Sequence, residues 1–263
     1  MRPVIALLTD FGTVDHYAGA MKGVMLGICP DATLVDISHD IPAHDVTAAA
    51  LELAAACKYF PAGTIFVVVV DPGVGSARRG VAADTGDYRF VAPDNGVLTL
   101  VLRETPAKKI VELTERRYAR PTVSRTFEGR DRFAPAAAWL AKGTQLAALG
   151  RAVSEIQKLD IPVPETTSDS VRGLVLRVDR FGNLVTNIDR KSVERLGSGG
   201  TIAIDAAGQR VSRVVATYAE LPPDGVGALF GSTDHLELAA PSASAASRLQ
   251  LTRGAVVTVT RQA

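Results

Sequence analysis

The feature that most constrains this chain is a seven-residue run, Thr64-Ile65-Phe66-Val67-Val68-Val69-Val70, preceded by Gly63 and closed by Asp71. It is far too short for a membrane helix, which needs about 20 apolar residues. Its β-branched composition, with no polar alternation, predicts a strand buried on both faces, as in a parallel sheet flanked by helices. The neighbouring segments agree. Val4–Thr9 and Thr33–Ile37 read as further strands. Between them Tyr17–Ile28 reads as a helix with Asp15 as its expected N-cap and Pro30 as its stop. Val46–Tyr59 reads as a second helix, opened by Asp45 and ended by Pro61. Val81–Asp84 and Tyr88–Val91 flank Thr85-Gly86-Asp87 and predict an antiparallel hairpin, and Pro135–Lys142 and Leu146–Leu149 read as helices.

From Leu159 to Ser170 large apolar residues thin out, and Pro162, Pro164, Thr166, Thr167 and Ser168 give the composition of a linker. The chain, 263 residues long, is therefore read as two domains. Residues 1–160 are expected to form an N-terminal α/β domain with a mainly parallel sheet, and residues 171–263 a small C-terminal β domain, barrel or sandwich. In the second part the helical period fades. Short strand-like runs take over at Leu174–Val178, Leu184–Ile188, Thr201–Ile204, Val211–Thr217 and Val256–Thr260, the spacing of a small barrel or sandwich. The Ala/Ser-biased stretch Ala239–Ser247 reads as a loop.

Several function classes fall away. Twenty-nine basic residues against 28 acidic ones, with 5% aromatics, supply neither the basic surplus nor the stacking platforms of a nucleic-acid binder. The apolar stretch Val4–Leu8 meets Asp10 too soon for a secretory signal. Cys29 and Cys57 are far apart with no CxxC spacing and read as buried thiols of a reducing compartment, so a cytoplasmic protein is expected. The segment Gly73-Val74-Gly75-Ser76-Ala77-Arg78 puts Arg78 where a dinucleotide fingerprint needs its third glycine, and neither GxxxxGK[ST] nor GxSxG occurs. Asp36, His39, Asp40, His44 and Asp45 are metal-ligand types, but Pro42 stops one helix from presenting both histidines, so turn and cap roles are expected and no metal. His16 and His235 are isolated and read as structural.

What remains is a set of polar clusters after strands, the edge where open α/β sheets bind ligands. Asp10 stands with Phe11, Gly12 and Asp15. Asp71 is followed by Pro72, Gly73, Gly75 and Arg78, a flexible loop able to fold the guanidinium back onto the carboxylate. Glu128-Gly129-Arg130-Asp131 precedes a helix, and Asp179, Phe181, Gly182, Asn183 and Asn187 mark a turn between strands of the second domain. Each also has a structural reading as a cap, a turn or a loop brace.

These residues lie within motifs that run nearly the length of the chain: Leu8-Thr9-Asp10-Phe11-Gly12, Met21-Lys22-Gly23, Val70-Asp71-Pro72-Gly73-Val74-Gly75, Ala92-Pro93-Asp94-Asn95-Gly96, Thr126-Phe127 with Gly129-Arg130-Asp131, and Phe181-Gly182-Asn183 with Thr186-Asn187. In this order they resemble the adenosine-forming S-adenosylmethionine hydrolases, or SAM hydroxide adenosyltransferases, relatives of the fluorinases and chlorinases. The resemblance implies an α/β domain followed by a β-barrel, a homotrimer with active sites between neighbouring subunits, S-adenosylmethionine as substrate and no cofactor. By the same resemblance Asp10 grips the ribose hydroxyls and Asp15 holds the methionine amine. Asp179, Phe181 and Asn183 face the methionine part and adenine, and Ser232 meets the methionine carboxylate. Asp71 and Arg78 match two members of the family's Asp-Arg-His triad at the water site. The chain departs from the pattern at the third, where Glu128 replaces histidine. It departs again at Gly231-Ser232-Thr233-Asp234-His235-Leu236-Glu237-Leu238-Ala239, where the family tends to Asn-Ser-x-Gly-x-Leu-Glu-Ile-Ala. His44 stands where the halogenating relatives have an aromatic wall.

A sulfonium is already a good leaving group, so catalysis reduces to aiming water at C5′ and taking its proton, the latter worth about 10²–10⁴-fold. Glu128 is able to accept that proton. Beside Asp71 it also places two carboxylates on one guanidinium, which raises one carboxyl pKa and predicts activity that falls in acid. Three alternatives stay open: a halogenating enzyme, a non-catalytic S-adenosylmethionine or adenosine binder, and a metal-dependent hydrolase.

Overall fold

In the computed structural model, residues 2–196, 202–211 and 213–262 are described. The chain divides into two compact units, Met1–Asp160 and Ile161–Ala263.

The first unit runs β1 (Val4–Thr9), α1 (Tyr17–Ile28), β2 (Thr33–Ser38), α2 (Val46–Cys57), β3 (Ile65–Val69), β4 (Gly80–Asp84), β5 (Arg89–Pro93), α3 (Thr99–Glu104), β6 (Lys109–Leu113), α4 (Ala134–Ala141) and β7 (Gly150–Ala152). The strands form one sheet in the order β2-β1-β3-β5-β4-β6-β7. It is parallel from β2 to β5 and antiparallel from β5 to β7. The apolar run becomes β3, all five residues buried. Its alternate side chains feed two separate cores, as a two-sided strand requires. Ile65, Val67 and Val69 join Met21, Met25, Phe133 and Leu140 on one side. Phe66 and Val68 join Leu53, Phe90 and Leu98 on the other.

A side-chain cap marks one helix start in this unit. Asp45 caps α2 by accepting the Ala48 N–H at 2.9 Å. Asp15 does not cap α1. The N-cap is His16, already in helical geometry and making no side-chain cap hydrogen bond, which leaves Asp15 one residue outside the helix and exposed. A five-residue π turn, Gly129–Phe133, runs straight into α4, and Leu146–Leu149 is a 3₁₀ turn, not an α-helix. Pro135 sits in the first turn of α4, and the Asp131 carbonyl four residues back, which it cannot meet, accepts the Arg120 N–H at 2.9 Å instead.

The second unit runs β8 (Glu165–Thr166), β9 (Ser170–Val178), β10 (Leu184–Asp189), α5 (Arg190–Glu194), β11 (Ile202–Ala206), β12 (Gln209–Val211), β13 (Gly227–Phe230), β14 (His235–Ala239), α6 (Ala245–Leu249) and β15 (Val256–Arg261). The main path is β12-β11-β15-β9-β10-β14-β13, with β8 paired to β9 inside the expected linker. Just past β12, Val214 bridges to Ala228 of β13, and the Val215 N–H donates to the Ala228 carbonyl at 2.8 Å. The two edges of the sheet thereby meet, and the unit is a nearly closed barrel around Val171, Val175, Leu184, Leu236 and Val259. The expected strand Val211–Thr217 is not continuous: Val211 ends β12 and Val214 makes only the bridge. Thr201 and Ser212 lie outside the described residues. The segment read as the loop Ala239–Ser247 holds the last residue of β14 and the start of α6, capped by Ser244.

Candidate active site

Because β1 and β3 are parallel neighbours with Thr9 opposite Val69, their C-terminal ends deliver Asp10 and Asp71 side by side. The segment before α4 forms the opposite wall. Between them lies a cavity of about 550 Å³, lined among others by Asp10, Asp71, Phe127 and Glu128.

Its floor is ionic. The loop after β3 folds back on itself: the Ser76 hydroxyl donates to the Gly73 carbonyl at 2.6 Å and accepts the Arg78 N–H at 3.1 Å. Gly75 makes this possible, since it has φ +78° and a Cβ there would stand 2.5 Å from the Arg125 carbonyl. Arg78 is thereby turned onto Asp71, with Nε donating to Oδ1 at 3.1 Å and Nη2 to Oδ2. The same Nη2 donates to Glu128 Oε2 at 2.7 Å, and Nη1 donates to the Arg79 carbonyl at 2.9 Å. The guanidinium also lies over the Phe133 ring at 5.3 Å. Asp71, Arg78 and Glu128 are nearly buried, with side chains 5%, 8% and 12% exposed. Burial is the main influence on Asp71, and with the Glu128 charge it holds that carboxyl above its ordinary range against the pull of Arg78.

The Asp10 loop is held from behind. Asp10 Oδ2 accepts the His44 N–H at 2.8 Å, with His44 in left-handed geometry at φ +66°. The Thr9 hydroxyl meets His39 Nδ1 at 2.8 Å and accepts the Phe11 N–H at 3.3 Å, while the Gly12 N–H reaches the His39 carbonyl at 2.7 Å. Asp36 stands 3.0 Å from His39 Nε2 and 2.6 Å from Lys22 Nζ. Of the residues of metal-ligand type, Asp36 in β2 and His39 after it thus brace the loop, and Asp45 caps α2. Phe11, Tyr17 and Phe127 pack ring on ring at 5.3–5.9 Å. Arg130 covers Phe127 at 4.9 Å and grips the fully buried Asp131 through two hydrogen bonds of 2.7 and 2.8 Å.

In the barrel unit Asp179 builds the turn between β9 and β10. Its Oδ1 accepts the N–H groups of Phe181 and Asn183, each at 2.8 Å, and its Oδ2 accepts the Asn183 amide at 2.9 Å. Gly182 is at φ +84°, and a Cβ there would collide with Ser244. The turn presents Phe181 outward, 79% exposed. Ser232 is exposed in the β13–β14 turn. Asn187 is buried and ties β9 to Pro162, a structural role.

A family profile described as the SAM hydroxide adenosyltransferase N-terminal domain matches residues 5–150, and its C-terminal-domain counterpart matches residues 173–258. The chain belongs to this family. It is 38% identical to the (R)-S-adenosyl-L-methionine hydrolase of Thermus thermophilus, over 97% of this chain and 98% of that one. It is 32% identical to a fluorinase of an Actinoplanes species over 98% of each. Its fold matches the crystal structure of an uncharacterized conserved protein from Thermotoga maritima, with a TM-score of 0.92 and 33% identity, over 98% of this chain and 100% of the other.

Among the residues singled out from the sequence of this SAM hydroxide adenosyltransferase family member, Asp10, Asp71 and Glu128 share one cavity, and Arg78 lies against the two acids of its floor. Asp15 is exposed in the loop before α1 and is not among the residues lining the cavity. Sequence reasoning missed the aromatic wall of Tyr17 and Phe127, and it missed Arg132. Arg132 Nη1 donates to Glu128 Oε1 at 2.9 Å and Nη2 to the Leu113 carbonyl at 2.6 Å. The signal was present as an acid and a base four residues apart, the spacing that meets across one helical turn.

Proposed function

We propose that this chain hydrolyses S-adenosyl-L-methionine to adenosine and L-methionine. The oxygen of water attacks C5′ in line. The C5′–sulfur bond breaks with its electron pair going to sulfur, and the water proton passes to the Asp71–Glu128 pair. The positive sulfonium becomes a neutral thioether, so the leaving group needs no acid and no cofactor enters the balance. The observation that carries this reading is the pair of buried carboxylates sharing one guanidinium in the cavity floor, with Asp10 at the end of the adjacent strand. The Asp71 carboxylate favours water over halide, because a halide bound at the floor would meet it at close range. The hydrolase relatives carry the prefix (R) in their name, and we take the R epimer at sulfur as the substrate here.

In this reading Asp10 receives the ribose diol as a charged two-oxygen acceptor. Asp15 meets the methionine amine. Asp179, Phe181, Asn183 and Ser232 serve the methionine part and adenine from a neighbouring subunit of a homotrimer, which gives the outward-facing Phe181 ring a ligand to cover. The domains are residues 1–160 and 171–263, and the enzyme works in the cytoplasm. Among the described residues no helix is long and apolar enough to cross a membrane.

The test is to incubate the purified protein with each sulfonium epimer in EDTA, with and without halide, and to identify the nucleoside by chromatography. Adenosine alone, from the R epimer, is expected. Substrate bound but returned intact makes the chain a binding protein, and a 5′-halogenated nucleoside makes it a halogenase.

A further inference from the structure

By the resemblance drawn from its motifs, Glu128 stands where the family has histidine, and the glutamate brings a second negative charge into a nearly buried site. A carboxylate added beside Asp71 on a single guanidinium is costly by like-charge repulsion and desolvation. The charged groups in contact with Glu128 are Arg78, from the loop after β3, and Arg132, from its own π turn. Asp71 acts on it across Arg78. Arg130 on the same turn is committed to Asp131, and Asp10, His16, Tyr17 and His44 line the same cavity. Arg132 takes Glu128 Oε1 at 2.9 Å, leaving Oε2 to meet Arg78 at 2.7 Å. Each oxygen of Glu128 is thus held by a different guanidinium, which restricts its rotamer. Arg132 is itself anchored through Nη2 to the Leu113 carbonyl at the end of β6, with its side chain 23% exposed.

We propose that Arg132 is a positioning residue that makes glutamate a working replacement for histidine at the water site. It completes an alternating quartet, Asp71–Arg78–Glu128–Arg132, with two charges of each sign. It touches neither water nor substrate and acts only through Glu128. The proposal rests on the hydrolase reading above. It also implies that the acid at 128 and the base at 132 form one unit, so the arginine loses its purpose once position 128 is histidine.

The test is a double-variant cycle of Glu128→His and Arg132→Gln, read by kcat, KM and the pH profile of adenosine formation. Arg132→Gln alone is expected to lower kcat about 10-fold with KM within about twofold. Its acid limb moves up by about one pH unit, because two carboxylates then share one guanidinium and take up a proton sooner. Arg132→Lys restores the limb and most of the rate. In the Glu128→His background, Arg132→Gln is expected to change kcat less than twofold and to leave the acid limb in place. Equal losses in both backgrounds, or an unmoved acid limb in an active Arg132→Gln enzyme, reduce Arg132 to a brace for β6 and overturn the proposal. Wild-type protein that forms no adenosine overturns the hydrolase reading and this role with it, whereas an active wild type with additive variants overturns this role alone.

Discussion

Two aspartates of the first unit, Asp71 and Asp131, are both nearly or fully buried and both face arginine, yet their carboxyls are driven in opposite directions. Burial pushes each upward and is the largest single influence on both. At Asp131 it is overcome by the Arg130 fork, the Ser124 N–H at 2.8 Å and Arg120, and the carboxyl ends below its ordinary range. At Asp71 the one guanidinium is shared with Glu128, whose charge adds to the effect of burial, and the carboxyl ends above it. What separates a carboxylate able to take a proton from one that locks a loop is therefore how many donors it holds to itself, not burial or the mere presence of arginine.

The largest effect that breaks this comparison is at Asp71. Asp71→Asn keeps the shape of the site and removes the acceptor, so turnover is expected to fall by about 10²–10⁴-fold while substrate binding, followed by calorimetry, changes little. A variant with normal turnover removes Asp71 from the mechanism. The sign of the pH effect follows. With Asp71 raised, protons bind the folded site more readily than a free aspartate, so activity is lost as pH falls through a value above about 4. A kcat profile flat between pH 4 and 8 contradicts this.

Asp131 is expected to give a smaller effect of a different kind. Its lowered carboxyl contributes stability that is present above the unfolded pKa and is lost as pH falls through the still lower folded value. Asp131→Asn leaves the Arg130 fork and the Ser124 N–H less well met and is expected to cost about 2 kcal/mol, a drop of about 4–8 °C in Tm for a unit of this size. Asp71→Asn is expected to cost less, because Arg78 keeps Glu128 as its counter-charge and burial already disfavours the charged form of Asp71. If calorimetric scans near neutral pH show equal Tm losses for the two variants, the distinction between them fails.

Sequence legibility followed the same division between local and long-range physics. The all-apolar composition of β3 announced its two-sided burial, and the glycines after Asp71 announced the loop that returns Arg78. Both signals are contained within a few residues. The β13 and β14 strands were missed although they pair with each other across a short turn, because their residues are buried in succession and show no alternation. The π turn was invisible because nothing in Gly129–Phe133 separates it from an ordinary helix start until Asp131 and Arg132 find partners up to 19 positions away. Asp15 was misread as a cap because the helix opens on His16 without any side-chain acceptor. Glu128 was legible as a candidate base, but the cation that balances it was not.

A third carboxylate sharpens the comparison from the weak end. Asp15 is exposed, so in the single chain it has neither the burial that lifts Asp71 nor the donor set that anchors Asp131. An exposed ion pair is worth about 0–1 kcal/mol. If Asp15 meets the methionine amine in that setting, Asp15→Asn raises KM by at most about fivefold and leaves kcat unchanged. A KM increase well beyond fivefold, again with kcat intact, requires Asp15 to be covered when substrate binds. A neighbouring subunit supplies that cover in the proposed trimer, and sedimentation of the wild-type protein measures the trimer directly. A small KM effect in a protein that sediments as a monomer leaves Asp15 as solvent-exposed as it is in the single chain, and the trimer reading falls.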